Sequence, residues 1–537
     1  MKKLAYFLIA SLLILSSVLM GCAQSSPSPS PMPTATTPVT PTPTATARPA
    51  TSPPPAPTGA PQYGGIIKSG RAIGSRSFVV WGLVTGVGDI VPVYETLLSQ
   101  DVNGLLQPWL ATDWKLSTDL KSLTLTIRKG VKFHDGSDFN AAAVKYNIEQ
   151  RKAARVGDYG GVTSIDTVDD YTVRLNLSSF SNTLLVTFRF LGGMMESPTA
   201  YQTMGADKAA NTPVGTGPFK LVSFERNFNI KYGRFDGYWQ QGKPYLDGFE
   251  YYYIGDSTTR SLSFQRGELD MLTAVEPFEI NSLAQKGYLT LAAAPTNMAL
   301  VPDSGNADSP FSKQKVREAV ETAIDRSGIV KALGYGMYTN TEQISTVNNY
   351  SYVPGLVGRR TYNPEKAKQL LTEAGYPNGF KTTIYYGSSG SGDPSVAVAG
   401  YLKAVGIDAL VQPVDSARGT QLSQGGWQNG LMTAPLLTVP DWLLDKNNKF
   451  SATSIEYKSL SRPTGWQDQL LKAFATPTED GKKAESQKLN QIISDNAMLI
   501  PLWQYSQGNA FQTNVRNPVT ELAAQRIWST ADTWKAK

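Results

Sequence analysis

Two periods organise the apolar residues of this chain. Over residues 122–128, Leu123, Leu125 and Ile127 alternate with polar neighbours, and Val173, Leu175 and Leu177 do so over 172–177. A period of two predicts half-buried strands. Residues 249–254 predict an aromatic strand, and 381–386 and 407–414 two more. Elsewhere the period is helical. Ala367, Leu370, Leu371 and Ala374 share one face. Asn363-Pro364-Glu365 supplies an N-cap, a proline at the first helical position and an acid in the first turn. Gly375 and Pro377 end that helix. Val316, Ala319, Val320, Ala323 and Ile324 mark another helix opening near Lys313, and 468–474 and 482–493 mark two more. Strands and helices interleave throughout, so the expected class is α/β or mixed α+β.

The N-terminus follows neither period. Lys2 and Lys3 precede an apolar run over 4–20 that closes on Gly21-Cys22. A basic start, a short apolar stretch and a small-residue cleavage site predict a secretory signal. The terminal cysteine makes the segment resemble a bacterial lipoprotein signal, in which Cys22 would carry the lipid. Cys22 is the chain's single cysteine, so no intramolecular disulfide forms. Residues 23–61 hold 13 of the 34 prolines among Ser, Thr and Ala, with Arg48 the one charge. Such a stretch lacks the apolar surface to offset its ordering entropy and favours an extended tether. Removing Lys2 and Lys3 with the signal lowers the formal charge from +6 to +4. No basic block with interleaved aromatics points to nucleic acid. The remaining body, 62–537, exceeds what one core holds and predicts two or three lobes.

Candidate chemistry is sparse. One histidine and one cysteine leave almost no nitrogen or sulfur ligands, so neither a metal nor another cofactor is expected. The glycine-rich Val214-Gly215-Thr216-Gly217-Pro218 lacks a P-loop lysine and reads as a tight loop between lobes. His134, in "GVKFHDGSDFNAAAV", sits beside Asp135-Gly136, a turn pair, and Asn140 reads as an N-cap. The stretch predicts strand, turn and helix start, with the imidazole packed or hydrogen-bonded locally. Many of the 10 Trp and 25 Tyr fall in Gly/Pro/Asn-rich stretches, where aromatics suit recognition of peptides or sugars. Trp109, Trp114 and Trp239 are read as core.

Ordered motifs then carry a resemblance. They are Tyr63-Gly64-Gly65, Val93-Tyr94-Glu95-Thr96-Leu97-Leu98, "WKLSTDLKSLTLTIRKGVKFHDGSDFNAAAV" from Trp114, "PVGTGPFKLVSF", "GYWQQGKPYLDGFEY", "FQRGELDML", "VREAVETAIDRSGIV", "YNPEKAKQLLTEAGYPNGF" and "AMLIPLWQY". Together they resemble the family 5 extracellular solute-binding proteins of ABC transporters, the oligopeptide/dipeptide-binding type. The resemblance implies a two-lobed periplasmic-binding-protein fold with a hinge. The first lobe would comprise 62–90, 211–295 and 500–537, with a subdomain inserted over 91–210. The second would span 296–499, with crossings near Ala294 and Ile500. It also implies a monomer that catalyses no reaction, holds its ligand between the lobes and delivers it to an ABC permease and ATPase. Rival classes are a cell-surface carboxylate-based hydrolase and an oligosaccharide-binding surface protein without transport.

The departures bear on the ligand. Peptide-binding relatives place an Asp shortly after a Gly-Trp pair to meet the ligand's ammonium. Here no acid lies between Trp427 and Pro440, Asp441 comes first and too far along, and Gln428 and Asn429 offer neutral amides instead. The expected ligand is therefore a neutral or polar organic solute, a saccharide or a modified peptide, in place of a free-amine peptide. The expected contacts are Trp81, Trp427, Gln428, Asn429, Trp442 and Trp503.

Overall fold

The computed structural model describes residues 60–72, 78–81, 87–100, 106–292, 295–388, 391–437, 441–518 and 530–537. Cys22, the tether and the crossing expected at Ala294 lie outside them.

Three sheets carry the architecture. The first has seven strands, in the order Leu289–Ala292, Gly508–Phe511, Met271–Val275, Ile66–Arg71, Gly248–Tyr253, Asn229–Arg234 and Phe219–Glu225. The second has six, in the order Tyr338–Asn340, Ile500–Tyr505, Thr296–Pro302, Gly430–Leu436, Phe380–Gly387 and Ile407–Val414. A four-stranded antiparallel sheet, Ala111–Leu116, Ser122–Ile127, Thr172–Leu177 and Val162–Asp169, belongs to the inserted segment. The seven-stranded and six-stranded sheets centre lobes I and II, and the chain passes between them twice. It leaves lobe I after Ala292, enters lobe II at Thr296, leaves at Tyr505 and rejoins lobe I at Gly508. Both passages lie side by side, because Thr296 pairs with Tyr505 and Ala292 with Gly508.

The helical periods explain how lobe II is layered. Asn363 accepts the Lys366 amide at 2.9 Å and caps Pro364–Glu373. That helix, Gln314–Ala323 and Asp393–Ala404 bury Val320, Leu371 and Val398 with Leu300 and Ile384 of the sheet. The other sheet face meets Trp442–Phe450, Trp466–Ala475 and Glu479–Asp495 through Ala299, Val301, Ala434, Leu436, Leu470 and Leu489. A sheet covered on both faces buries near-continuous apolar strands, as 430–436 shows.

The inserted subdomain docks on lobe I through buried polar groups. Glu95 accepts hydrogen bonds from Trp109 Nε1 (3.1 Å), Tyr238 Oη (2.8 Å), Trp239 Nε1 (2.9 Å) and Thr216 Oγ1 (3.0 Å). Burial pushes its carboxyl up to about 7, against those four donors. Trp109 and Trp239, read as core, are thus also donors, and their rings meet edge to face at 5.4 Å.

His134 departs from the local reading. Its Nε2 donates to the Gly217 carbonyl at 2.8 Å, its amide donates to Gly215 O at 2.9 Å, and its ring abuts Phe235. Burial pulls the imidazole down to about 4, so the neutral ring carries its proton on Nε2. The 214–218 loop lies inside lobe I, not between lobes. A Cβ on Gly215 would sit 2.1 Å from Val93 O, and one on Gly217 2.6 Å from Pro92 O. Both glycines are there for that close backbone approach. The predicted Asn140 cap is present, with Oδ1 accepting the Ala143 amide at 3.0 Å.

Candidate ligand cleft

Strand direction identifies the cleft side of each sheet. In lobe I, Ile66–Arg71 runs parallel to Gly248–Tyr253 and Met271–Val275, so Arg71, Tyr253 and Val275 end on one edge. Val275 pairs with Gly508, which puts that edge at the crossings. Ligands of parallel sheets bind beyond the carboxyl ends of strands. Here that end carries Arg71 Nη1 on Asp89 Oδ1 (2.8 Å), Tyr253 Oη on Asp89 Oδ2 (2.9 Å) and the Arg71 guanidinium 4.1 Å from the Tyr251 ring centre.

In lobe II the crossing end is set by Thr296 and Tyr505. Gly430–Leu436 runs antiparallel to Thr296–Pro302, with Asn297 opposite Leu436 and Pro302 opposite Leu431. The carboxyl end of Gly430–Leu436 therefore faces the crossings and its amino end faces away. At the crossing end Asn297, fully buried, stands opposite Gln504, whose Nε2 donates to Ser345 O at 2.9 Å. Trp503 stacks on Tyr338 with ring centres 5.8 Å apart.

Just past that end, Asp441 caps Trp442–Phe450 by accepting the Leu444 amide at 3.0 Å. Its other oxygen accepts Lys482 Nζ and lies 4.0 Å from Arg189 Nη2 of lobe I. Burial by itself would raise this carboxyl, but Lys482 and Arg189 outweigh it and hold it below the ordinary range. Nearby, Lys446 Nζ donates to Asp445 (2.6 Å) and to Leu437 O (3.2 Å), and burial pulls its amine down to about 8. Lobe I touches lobe II a second time through Asn182. Its amide donates to Phe474 O (2.9 Å), and its Nδ2 donates to Ala473 O (2.7 Å) and Thr476 O (3.1 Å). These carbonyls end the helix Trp466–Ala475, where intrahelical donors run out.

Comparison with known proteins fits this layout. Residues 106–449 match the family described as "Bacterial extracellular solute-binding proteins, family 5 Middle". The chain belongs to family 5 of the bacterial extracellular solute-binding proteins. It is similar to the glutathione-binding protein GsiB of Salmonella typhi, 32% identical over 345 residues. That match spans 62% of this chain and 66% of the relative, just short of two thirds of its length. Among solved structures it is similar to the periplasmic binding protein DppA from Helicobacter pylori in complex with the peptide STSA. The TM-score is 0.75 at 23% identity, covering 89% of this chain and 99% of that one. It is also similar to AgaA of A. tumefacien R10 in complex with agropinic acid, with TM-score 0.73, 24% identity, and 88% and 99% covered. These likenesses establish the two-lobed fold.

Within this family 5 fold the six sequence-predicted contacts do not gather in one place. Trp427, Gln428 and Asn429 precede Gly430 and so lie at the far end of the lobe II sheet, about 20 Å of strand from the crossings. Trp427 is buried, and its Nε1 donates to Gly430 O at 3.1 Å. Asn429 adopts φ 46° and makes a corner: its amide donates to Asp303 Oδ2 (2.6 Å), and its Nδ2 to Lys381 O (3.0 Å). The left-handed conformation suits Asn. Gln428 is exposed. Trp81 packs edge-on against Tyr201 (4.7 Å) and Tyr146 (6.0 Å) in the lobe I core. Trp442 is fully buried under Lys446, with Nε1 donating to Ile344 O. Trp503 alone of the six lies on a crossing strand, two residues from Tyr505.

The Gly426-Trp427 pair precedes the amino end of its strand, away from the crossings. Asp441, set aside as too far along, follows the crossing end. The polar groups that the sequence reading did not name are Asn297 on the crossing strand and Asn182, Arg189 and Lys482 where lobe I touches lobe II. One signal was available: an asparagine in the apolar run "TNMALVP", where an amide costs burial energy. Among the described residues no cluster of three or more His, Cys, Asp or Glu is arranged to hold a metal ion. Among the same residues no helix is long and apolar enough to cross a membrane.

Proposed function

We propose that this chain is the extracytoplasmic substrate-binding component of an ABC importer. It captures a polar organic solute between its lobes and passes it to a membrane permease and its ATPase. The observation that carries the reading is the paired crossing, with the carboxyl ends of both sheets facing it. A two-strand connection lets the lobes close by small backbone rotations, and closure is favoured by the amount by which ligand binds the closed state more tightly. The body acts as a monomer and performs no catalysis. Cys22 carries the lipid anchor and residues 23–61 form the tether.

The ligand class we favour is a peptide-derived or other polar solute that does not depend on a free ammonium group. Asp441, the first acid beyond the crossing end, already has Lys482 and Arg189 as partners. An incoming ammonium would have to displace them. The similarity to a fold neighbour bound to agropinic acid supports solutes of this kind. Of the predicted contacts, Trp503 is retained as the aromatic wall on lobe II.

The test is a thermal-shift screen of the soluble body, since a ligand of the native form raises stability by RT ln(1 + [L]/Kd). The probes are glutathione, trialanine, N-acetyl-trialanine, agropinic acid and maltotriose. A shift with N-acetyl-trialanine or agropinic acid is expected, and glutathione, which carries a free ammonium, reports binding without deciding that point. Binding of trialanine alone, abolished by acetylation, overturns the ligand class. Cleavage of any probe overturns the binding-protein reading. Mass spectrometry of the membrane-extracted protein, showing an acylated N-terminal Cys22 peptide, tests the anchor.

A further inference from the structure

Asn297 is the second residue of the strand that enters lobe II, fully buried, and neither its Nδ2 nor its Oδ1 has a hydrogen-bond partner among the described residues. Buried amide groups are almost always paired, so a carboxamide with both ends unsatisfied marks a place where something else binds. Its surroundings add to this. Asn297 stands between Gln504 and Leu436 on the neighbouring strands, at the end of the sheet where the chain crosses from lobe I. Gln504 is engaged with Ser345, so it does not serve as the missing partner through its amine. The rest of the strand face that Asn297 shares, Ala299 and Val301, is apolar core. Asn297 is itself buried, but it lies one residue from the point where the chain enters lobe II.

We propose that Asn297 is a specificity-determining residue that reads one amide group of the ligand. This rests on the solute-binding reading above. A carboxamide presents a donor and an acceptor in one plane. The matching ligand group offers an acceptor and a donor side by side, as the C=O and N–H of a peptide unit do. A carboxylate would satisfy Nδ2 and leave Oδ1 unpaired. The ligand class is therefore a compound with an internal, uncharged amide.

The experiment measures affinity for glutathione and N-acetyl-trialanine, with maltotriose as an amide-free control, in the wild type, Asn297→Leu and Asn297→Asp. The wild type is expected to bind at least one amide probe. Asn297→Leu, which keeps the branched shape and removes both polar atoms, weakens it by about tenfold to hundredfold. Asn297→Asp, which keeps only acceptors, weakens it similarly. Without ligand, Asn297→Leu melts at the same temperature as the wild type or higher, because it removes an unpaired polar group. A ligand-free melting point lowered by several degrees would mean that Asn297 has an internal or water partner, and would overturn the proposal. Unchanged affinity in Asn297→Leu overturns it and leaves the solute-binding reading standing. Maltotriose as the sole ligand overturns the amide class. No binding of any probe by the wild type overturns the reading on which the proposal rests.

Discussion

The inserted subdomain meets its own lobe through Glu95 and His134, and meets the other lobe through Asn182 and Arg189. At the first junction the buried Glu95 carboxylate and the Gly217 carbonyl take donors from buried and half-buried side chains. Four donors converge on one carboxylate, and the imidazole fills the gap over Gly217. Separating those surfaces would strand every one of these groups. At the second junction Asn182 takes the carbonyls at the end of a helix, and Arg189 stands 4.0 Å from a carboxylate that Lys482 already holds. Helix-end carbonyls accept water readily when a partner leaves, and Asp441 keeps its lysine. Asn182 and Arg189 are themselves buried, but because of these different replacements the first junction is expected to be permanent and the second to open. The difference is set less by the number of hydrogen bonds than by what replaces them.

Breaking the permanent junction is expected to have the largest effect. Glu95→Ala removes the shared acceptor of Trp109, Trp239, Tyr238 and Thr216, and should cost about 3 kcal/mol or more of unfolding free energy in urea titration at pH 7. A loss below about 1 kcal/mol would show that water takes the place of the carboxylate.

His134 gives the next effect, through pH. Its folded pKa of about 4 lies below the ordinary 6.5, so the unfolded chain takes up the proton first. Its contribution is complete above about pH 6.5 and is lost as pH falls toward 4, amounting to roughly 3 kcal/mol at most. His134→Gln retains a donor for Gly217 O and should flatten this acid limb relative to the wild type. The difference between the two proteins isolates His134, since Glu95 and Glu196, both raised by burial, titrate in the same window with the opposite sign. Equal limbs in the two proteins would refute the buried neutral imidazole.

The reversible junction is tested by Asn182→Ala. Stability should fall by about 1 to 2 kcal/mol, less than for Glu95→Ala, while small-angle scattering of the ligand-free protein shows a larger radius of gyration. A large melting loss with unchanged dimensions would make Asn182 part of the permanent core. The smallest effect belongs to Gln428→Ala at the far end of lobe II. Affinity for whichever probe binds should stay within about twofold, and a tenfold loss would restore that end of the sheet as a ligand site.

How much of this was legible follows from the range of each interaction. The helix Pro364–Glu373 is written locally, in a cap, a proline, four apolar positions and a glycine, and it forms as read. Strands 172–177 and 407–414 form over the residues their patterns mark. The cleft is not local. Whether Trp427 or Asp441 lies near the crossings depends on the pairing of Gly430–Leu436 with Thr296–Pro302, and nothing in either segment states its direction relative to the other. Arg189 and Asp441 meet across most of the body's length, and each looks like an ordinary surface charge in its own window. Even His134, with a well-formed local turn, finds its partner at Gly217.

The paired crossings have one more consequence. Every strand of the six-stranded sheet lies between Thr296 and Tyr505, and those two residues face each other across a ladder. The second lobe is thus a single uninterrupted length of chain whose ends emerge together, like a cassette in a frame. Such a unit can be exchanged with the corresponding length from another family member by two joins a few ångströms apart. In that way the same first lobe could be fitted with a different half of the binding surface.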